Sequence, residues 1–137
     1  MSEKNVHLAV INYLRLQYPK VIFRSDTGAG MRLTIGQAKQ QKAIQNGMAY
    51  PDLFIAAPRG MFHGMFIELK NDGVKLFSKN NAKSGIYAND HIKEQAECLE
   101  ALEALGYYTT FAIGFDDAKF WIDWYLNGMA EGINDKL

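Results

Sequence analysis

The chain has 137 residues, 48% apolar and 22% charged, and its 15 Lys+Arg balance 15 Asp+Glu to a net charge of zero. Those values exclude a disordered chain, which would be charge-rich and apolar-poor, and 12 Gly and 3 Pro exclude a collagen-like or linker protein. At this length a single domain over residues 1–137 is expected. One Cys, Cys98, leaves no internal disulfide and no Cys-rich zinc site. No apolar run is long enough to span a bilayer, and the N-terminal stretch has no secretory pattern. The expectation is an intracellular, cytoplasmic protein with no membrane partner.

In chain order, residues 3–17 are predicted to be a helix: Val6, Val10, Tyr13 and Leu14 recur at helical spacing and Ser2 is a suitable N-cap. Pro19 ends that pattern. Residues 21–24 are short, apolar and β-branched, which predicts a strand, and 25–30 (SDTGAG) predict a loop. Thr34-Ile35-Gly36-Gln37 fits a capping box that opens a second helix through about Gln45, closed by Gly47. Residues 53–57 and 65–69 are apolar runs flanking Pro58-Arg59-Gly60, a hairpin signal. Residues 71–90 are polar and rich in Lys, Asn and Gly, predicting a long mobile loop. A helix from about His91 to Leu105 ends at Gly106, and a strand follows over 107–113. Asp116 or Asp117 is expected to cap a last helix. Its Phe120, Trp121, Trp124 and Tyr125 lie on more than one face, fitting core packing or, alternatively, a homodimer interface.

Carboxylates occupy places where a core hairpin should have none. Asp52 opens the first hairpin strand and Glu68 lies near the end of the second. Pairing them centres the turn on residue 60, a glycine beside Pro58 and Arg59, so turn chemistry independently predicts that the two carboxylates face each other with Cβ atoms about 5 Å apart. Strand alternation places Lys70 on the face of Glu68. Facing carboxylates repel unless a cation lies between them, and such pairs suit hard ions such as Mg²⁺ or Mn²⁺. The simpler reading is that Lys70 neutralises one carboxylate at a solvated strand end. Gln95 falls on the apolar stripe Ile92, Leu99, Leu102, where an amide must find a partner. Glu3 and His7 share the helix line that continues to Val10 and Leu14; for Glu3, a helix-dipole charge is the plainer explanation.

Charge is unevenly spread. Residues 1–89 hold 12 Lys+Arg against five acids, a net +7, and residues 90–137 hold three Lys against ten acids, a net −7. A basic region of this kind fits a polyanion partner. Arg24, Arg32, Lys39, Lys42 and Lys75 are the leading candidates for phosphate contacts, with Arg24 first among them. The expectation is that residues 1–89 present the nucleic-acid side and 90–137 face away, Gln95 excepted.

Pro51-Asp52, then fifteen residues, then Glu68-Leu69-Lys70, resembles the PD-(D/E)xK nuclease signature. The flanking features look like its VRR-NUC branch: Glu3 with a polar residue four later, Arg24 ending a strand, a Gly shortly before Pro51, Lys93-Glu94-Gln95 on a helix, and the strand after Gly106. The likeness covers residues 3–113 and is closest in length to small stand-alone members found in phages and bacteria. It implies an α/β restriction-endonuclease-like fold, a central mixed sheet flanked by helices. It also implies a Mg²⁺- or Mn²⁺-dependent DNA endonuclease; with no recognition-helix or zinc-finger motif in the sequence, structure-selective cutting of branched or flapped DNA fits better than base readout. Asp52, Glu68 and the main-chain carbonyl of Leu69 would then bind metal. Glu3 would hold it directly or through water, Lys70 would position or deprotonate the attacking water, and Gln95 would orient the site or a phosphate. The family's first-helix pair is commonly Glu and Gln; here the second member is His7. The rival readings are a dimeric Holliday-junction resolvase, a nucleic-acid-binding module without cleavage, and a small interaction domain with a coincidental motif.

Overall fold

The computed structural model describes residues 2–26, 34–43, 47–78 and 85–128. The first helix, α1 (Glu3–Gln17), forms as predicted: the Ser2 hydroxyl accepts the Asn5 N–H, and Val6, Val10, Ile11 and Leu14 are buried along one side. The first strand, β1 (Phe23–Ser25), begins two residues later than expected, because Val21 donates back to the Tyr18 carbonyl in the turn around Pro19. Both halves of the capping box open α2 (Ile35–Ala43): Gln37 N–H donates to Thr34 Oγ1 at 3.1 Å, and Thr34 N–H to Gln37 Oε1 at 3.0 Å. The expected extension to Gln45 lies outside the described residues.

The strands β1, β2 (Leu53–Ile55), β3 (Met65–Lys70) and β4 (Tyr108–Ile113) lie side by side in that order. The β1–β2 and β2–β3 pairs are antiparallel and β3–β4 is parallel, so the sheet is mixed. Leu53 pairs with Ile67, Phe54 with Phe66 and Ile55 with Met65. Carried one residue further, this register places Asp52 opposite Glu68, as the turn argument predicts. The tip itself is displaced by half a residue. Arg59 bridges Phe62, leaving Gly60 and Met61 at the bend. Ala56, Ala57 and Pro58 on one arm match only His63 and Gly64 on the other, and this extra residue preserves the strand register. A Cβ at Gly64 would sit 2.9 Å from both the Ile55 carbonyl oxygen and the Phe54 ring, so only glycine lets the arms approach this closely.

The helices pack on both faces. Leu53, Ile55, Met65, Ile67, Leu69 and Ala112 join Val6, Val10 and Leu14 of α1 in one core with Ala118, Ile122, Tyr125 and Leu126 of α4 (Phe115–Leu126). The other face carries Phe54, Phe66 and Glu68 and receives α3 (Asp90–Ala104), which Asn89 caps by accepting the Ile92 N–H at 2.9 Å. Two expectations need correction. The cap of α4 is Gly114, at φ +84°, and not an aspartate; Asp117 instead accepts the Ile113 N–H, stitching the helix to the end of β4. The stretch expected to be one long loop contains a Phe77–Tyr87 bridge with stacked rings, backed by the Ser78 N–H to Ile86 carbonyl bond.

The aromatics of α4 serve the core. Tyr125 is fully buried and donates to the Ala57 carbonyl at 2.7 Å, while Tyr108 packs on Trp121, Trp124 and Tyr125. Phe120 alone of the four is strongly exposed, at 57%. Asp123 joins α4 to α1 by accepting from the hydroxyls of Tyr13 and Tyr18, with Lys119 on its other oxygen at 3.2 Å. Burial alone would raise this carboxyl, but those three donors outweigh it and hold Asp123 below the usual aspartate range. No helix among the described residues is long and apolar enough to cross a membrane.

Candidate metal and nucleic-acid site

Among the described residues, five polar side chains are nearly excluded from solvent, and all five gather at one end of the sheet. Asp52, Glu68, Lys70, Gln95 and His7 are between 2% and 8% exposed. Burying so many ionisable groups is costly unless they are paired or hold a cation. Asp52 stands just before β2, and its Oδ2 accepts the Leu69 N–H at 2.9 Å. This bond ties the carboxylate to the neighbouring strand where regular pairing has ended. The Asp52 carbonyl accepts the Asp26 N–H at 2.7 Å, which holds the same residue from the β1 side.

Glu68 approaches from β3. Its Oε1 accepts from Gln95 Nε2 at 2.8 Å and has Lys70 Nζ at 4.0 Å. Its Oε2 is buried with no hydrogen-bond partner among the described residues. The apolar stripe of α3 therefore carries Gln95 because that amide meets a buried carboxylate. Burial chiefly, and next the charge of Asp52, push the Glu68 carboxyl far above the usual glutamate range; Lys70 opposes this and Glu3 adds to it. Two carboxylates side by side in a dry site are stable together only with a proton or a cation.

From the opposite face, α1 brings Glu3 and His7. Glu3, His7 and Asp52 each offer a ligand atom, and these atoms all lie within 4.8 Å of one another. His7 Nε2 is buried without a hydrogen-bond partner among the described residues, 3.6 Å from Asp52 Oδ2. The residues fit a divalent cation: the donors are mostly carboxylate oxygen, two of their buried polar atoms lack partners, and Glu68 resists ionising without compensation. Leu69 contributes only its backbone, since its side chain belongs to the apolar core.

Of the predicted residues, Glu3 and Asp52 lie together with His7, and Glu68 lies with Gln95 and Lys70; Glu68 is not among the three residues whose ligand atoms all lie within 4.8 Å. Sequence reasoning passed over His7 as a ligand, although it lay on the line of Glu3. Of the proposed phosphate contacts, Arg24, Lys39, Lys42 and Lys75 are exposed, and Arg32 lies outside the described residues. Arg24 pairs with Phe54, which pairs with Phe66, so Arg24 shares the sheet face of Glu68 and Lys70. The division at residue 89 does not separate two sides of the molecule: α3 lies against the face carrying Glu68, and α4 against the other.

This architecture defines an α/β restriction-endonuclease-like fold, a mixed four-stranded sheet with helices on both faces and buried carboxylates at its end. A solved structure described as a "VRR_NUC domain protein" is similar to it, with 27% sequence identity and a TM-score of 0.65, over 93% of this chain and 90% of that one. The VRR-NUC fold is therefore shared across nearly the whole described chain. No family model matches the sequence, and no curated protein matches it.

Proposed function

We propose that this chain is a divalent-metal-dependent DNA endonuclease of PD-(D/E)xK type that hydrolyses phosphodiester bonds, with structure-selective cutting. The observation that carries the reading is the buried Asp52–Glu68 pair with Lys70 beside it and Glu68 Oε2 left without a partner. The similarity to a VRR-NUC domain protein agrees with it. When bound, Mg²⁺ or Mn²⁺ would lower the pKa of a coordinated water and neutralise charge on the phosphoryl oxygens. Asp52, Glu68, Glu3 and the Leu69 carbonyl would hold it. Lys70 supplies an ammonium that orients the attacking water and opposes the negative charge of the pair. Gln95 keeps Glu68 aimed by holding Oε1. Arg24, on the same face, and the exposed Lys39, Lys42 and Lys75 provide backbone contacts without base readout. The protein acts inside the cell, where its DNA substrate lies.

The test uses supercoiled, linear, single-stranded, flap and four-way-junction DNA with Mg²⁺, Mn²⁺ or EDTA, alongside Asp52→Ala. Cleavage that needs metal and Asp52, and favours branched forms, supports the reading. Binding without cleavage in any metal would leave a non-catalytic module, and cleavage in EDTA would overturn the mechanism. Sedimentation with and without a four-way junction tests for a dimeric resolvase, which would cut the junction as a symmetric pair.

A further inference from the structure

His7 is the residue that the proposed chemistry leaves unexplained. It is 4% exposed, its Nε2 has no hydrogen-bond partner among the described residues, and that nitrogen faces Asp52 Oδ2 at 3.6 Å. The separation is too long for a hydrogen bond. It falls within the range that two ligands of one ion span, since donors at about 2.1 Å in octahedral geometry lie about 3 Å apart when adjacent and about 4.2 Å when opposite. The limit of 4.8 Å that encloses Glu3, His7 and Asp52 spans both arrangements. Glu3 and His7 are one helical turn apart on α1, so the helix presents both donors from the same side.

We infer that His7 is a direct nitrogen ligand of the metal held by Glu3 and Asp52, giving the site a preference for first-row transition ions over Mg²⁺. The inference rests on the metal-site reading above and deepens it by assigning one donor and its consequence. Carboxylate oxygens alone serve Mg²⁺ well, whereas an imidazole nitrogen adds more for first-row ions than for a hard, strongly hydrated cation. A glutamine at this position would offer an amide oxygen and leave an all-oxygen set. Mn²⁺ stands lowest in the first-row affinity order, so it is the most demanding probe of such a preference.

The experiment uses the full chain stripped of metal, with no DNA. Mn²⁺ is titrated by electron paramagnetic resonance, nitrogen coupling is read by electron spin-echo modulation, and Mg²⁺ is added as competitor. Expected are a ¹⁴N coupling in the wild type, its replacement by ¹⁵N coupling when the histidines are labelled, and its loss in His7→Gln. The other histidines, His63 and His91, are exposed and lie outside the cluster. The excess of Mg²⁺ needed to displace half the Mn²⁺ is expected to fall about tenfold in His7→Gln. Mn²⁺ that binds, is lost in Asp52→Asn, and shows no nitrogen coupling would overturn the role of His7 while leaving the metal site intact. Absence of Mn²⁺ binding would overturn both. The labelled wild type decides the question even if His7→Gln fails to fold.

Discussion

Gln95 Nε2 donates to Glu68 Oε1 at 2.8 Å, and the other oxygen of that carboxylate takes no hydrogen bond from the described residues. A helix on one face of the sheet thereby fixes the rotation of a carboxylate that belongs to the strand beneath it. Gln95→Leu keeps the size and apolar stripe of α3 but removes the donor, leaving Oε1 only Lys70 at 4.0 Å. Mn²⁺ affinity, measured by titration, should fall on the order of ten- to a hundredfold, the range seen when an orienting partner of a metal ligand is lost. Unchanged affinity would show that Gln95 does not position Glu68.

Glu68 should be costly to the metal-free protein. Its carboxyl is raised in the folded state, so the stabilisation tied to its bound proton is complete below the ordinary glutamate value and declines as pH rises toward the folded one. Metal-free wild type should therefore lose stability as pH rises through neutrality. Glu68→Gln removes that slope and should gain about 1 kcal/mol at pH 7, a few degrees in Tm. Adding Mn²⁺ should raise the Tm of the wild type and not that of the variant. Calorimetry across pH, with and without metal, reads both effects.

Asp123 carries the opposite sign. Its carboxyl is lowered by Tyr13, Tyr18 and Lys119 acting against burial, so its contribution is present above the unfolded value of about 3.9 and is lost as pH falls through the folded one. With its side chain 27% exposed, Asp123→Asn should cost about 1–2 kcal/mol at pH 7 and flatten the acid limb of the stability curve. Denaturant melts between pH 2 and 7 check this. The change is remote from the proposed chemistry and should leave metal affinity unaltered.

Gly64 links the register to the site. Gly64→Ala would drive a Cβ to 2.9 Å from the Ile55 carbonyl and the Phe54 ring, both in β2. Relief requires the hairpin arms to separate, at a cost of about 1–3 kcal/mol. Because that register sets Asp52 opposite Glu68, Mn²⁺ affinity should weaken along with stability. A variant that melts early but binds metal normally would separate the hairpin from the site.

The site was legible where local rules act on few residues. Turn chemistry put Asp52 opposite Glu68, a register that holds because one extra residue between Ile55 and Arg59 offsets the shifted tip, and alternation then supplied Lys70. Gln95 stood out because an amide on an apolar stripe must have a partner. The Ser2 cap and the Thr34–Gln37 box were read from short motifs for the same reason. What was not legible depends on long-range placement. The parallel β3–β4 register follows a crossover that no local pattern encodes, and the charge blocks on either side of residue 89 are interleaved by α3. The aspartates after Gly114 resembled caps, yet the bond that Asp117 accepts from the Ile113 N–H follows from where β4 ends. His7 was visible on the face of Glu3, but its meeting with Asp52 required α1 and the start of β2 to be set side by side.

Single-turnover DNA cleavage by Lys70→Ala at saturating Mn²⁺ asks whether Asp52, Glu68 and Lys70 form a hydrolytic site. Lys70 is not among the proposed metal ligands, so the variant should bind Mn²⁺ as the wild type does. Its cleavage rate should fall by about 10²–10⁴-fold, the usual contribution of a group that orients or deprotonates the nucleophile. Cleavage at the wild-type rate with Lys70 removed would contradict the account.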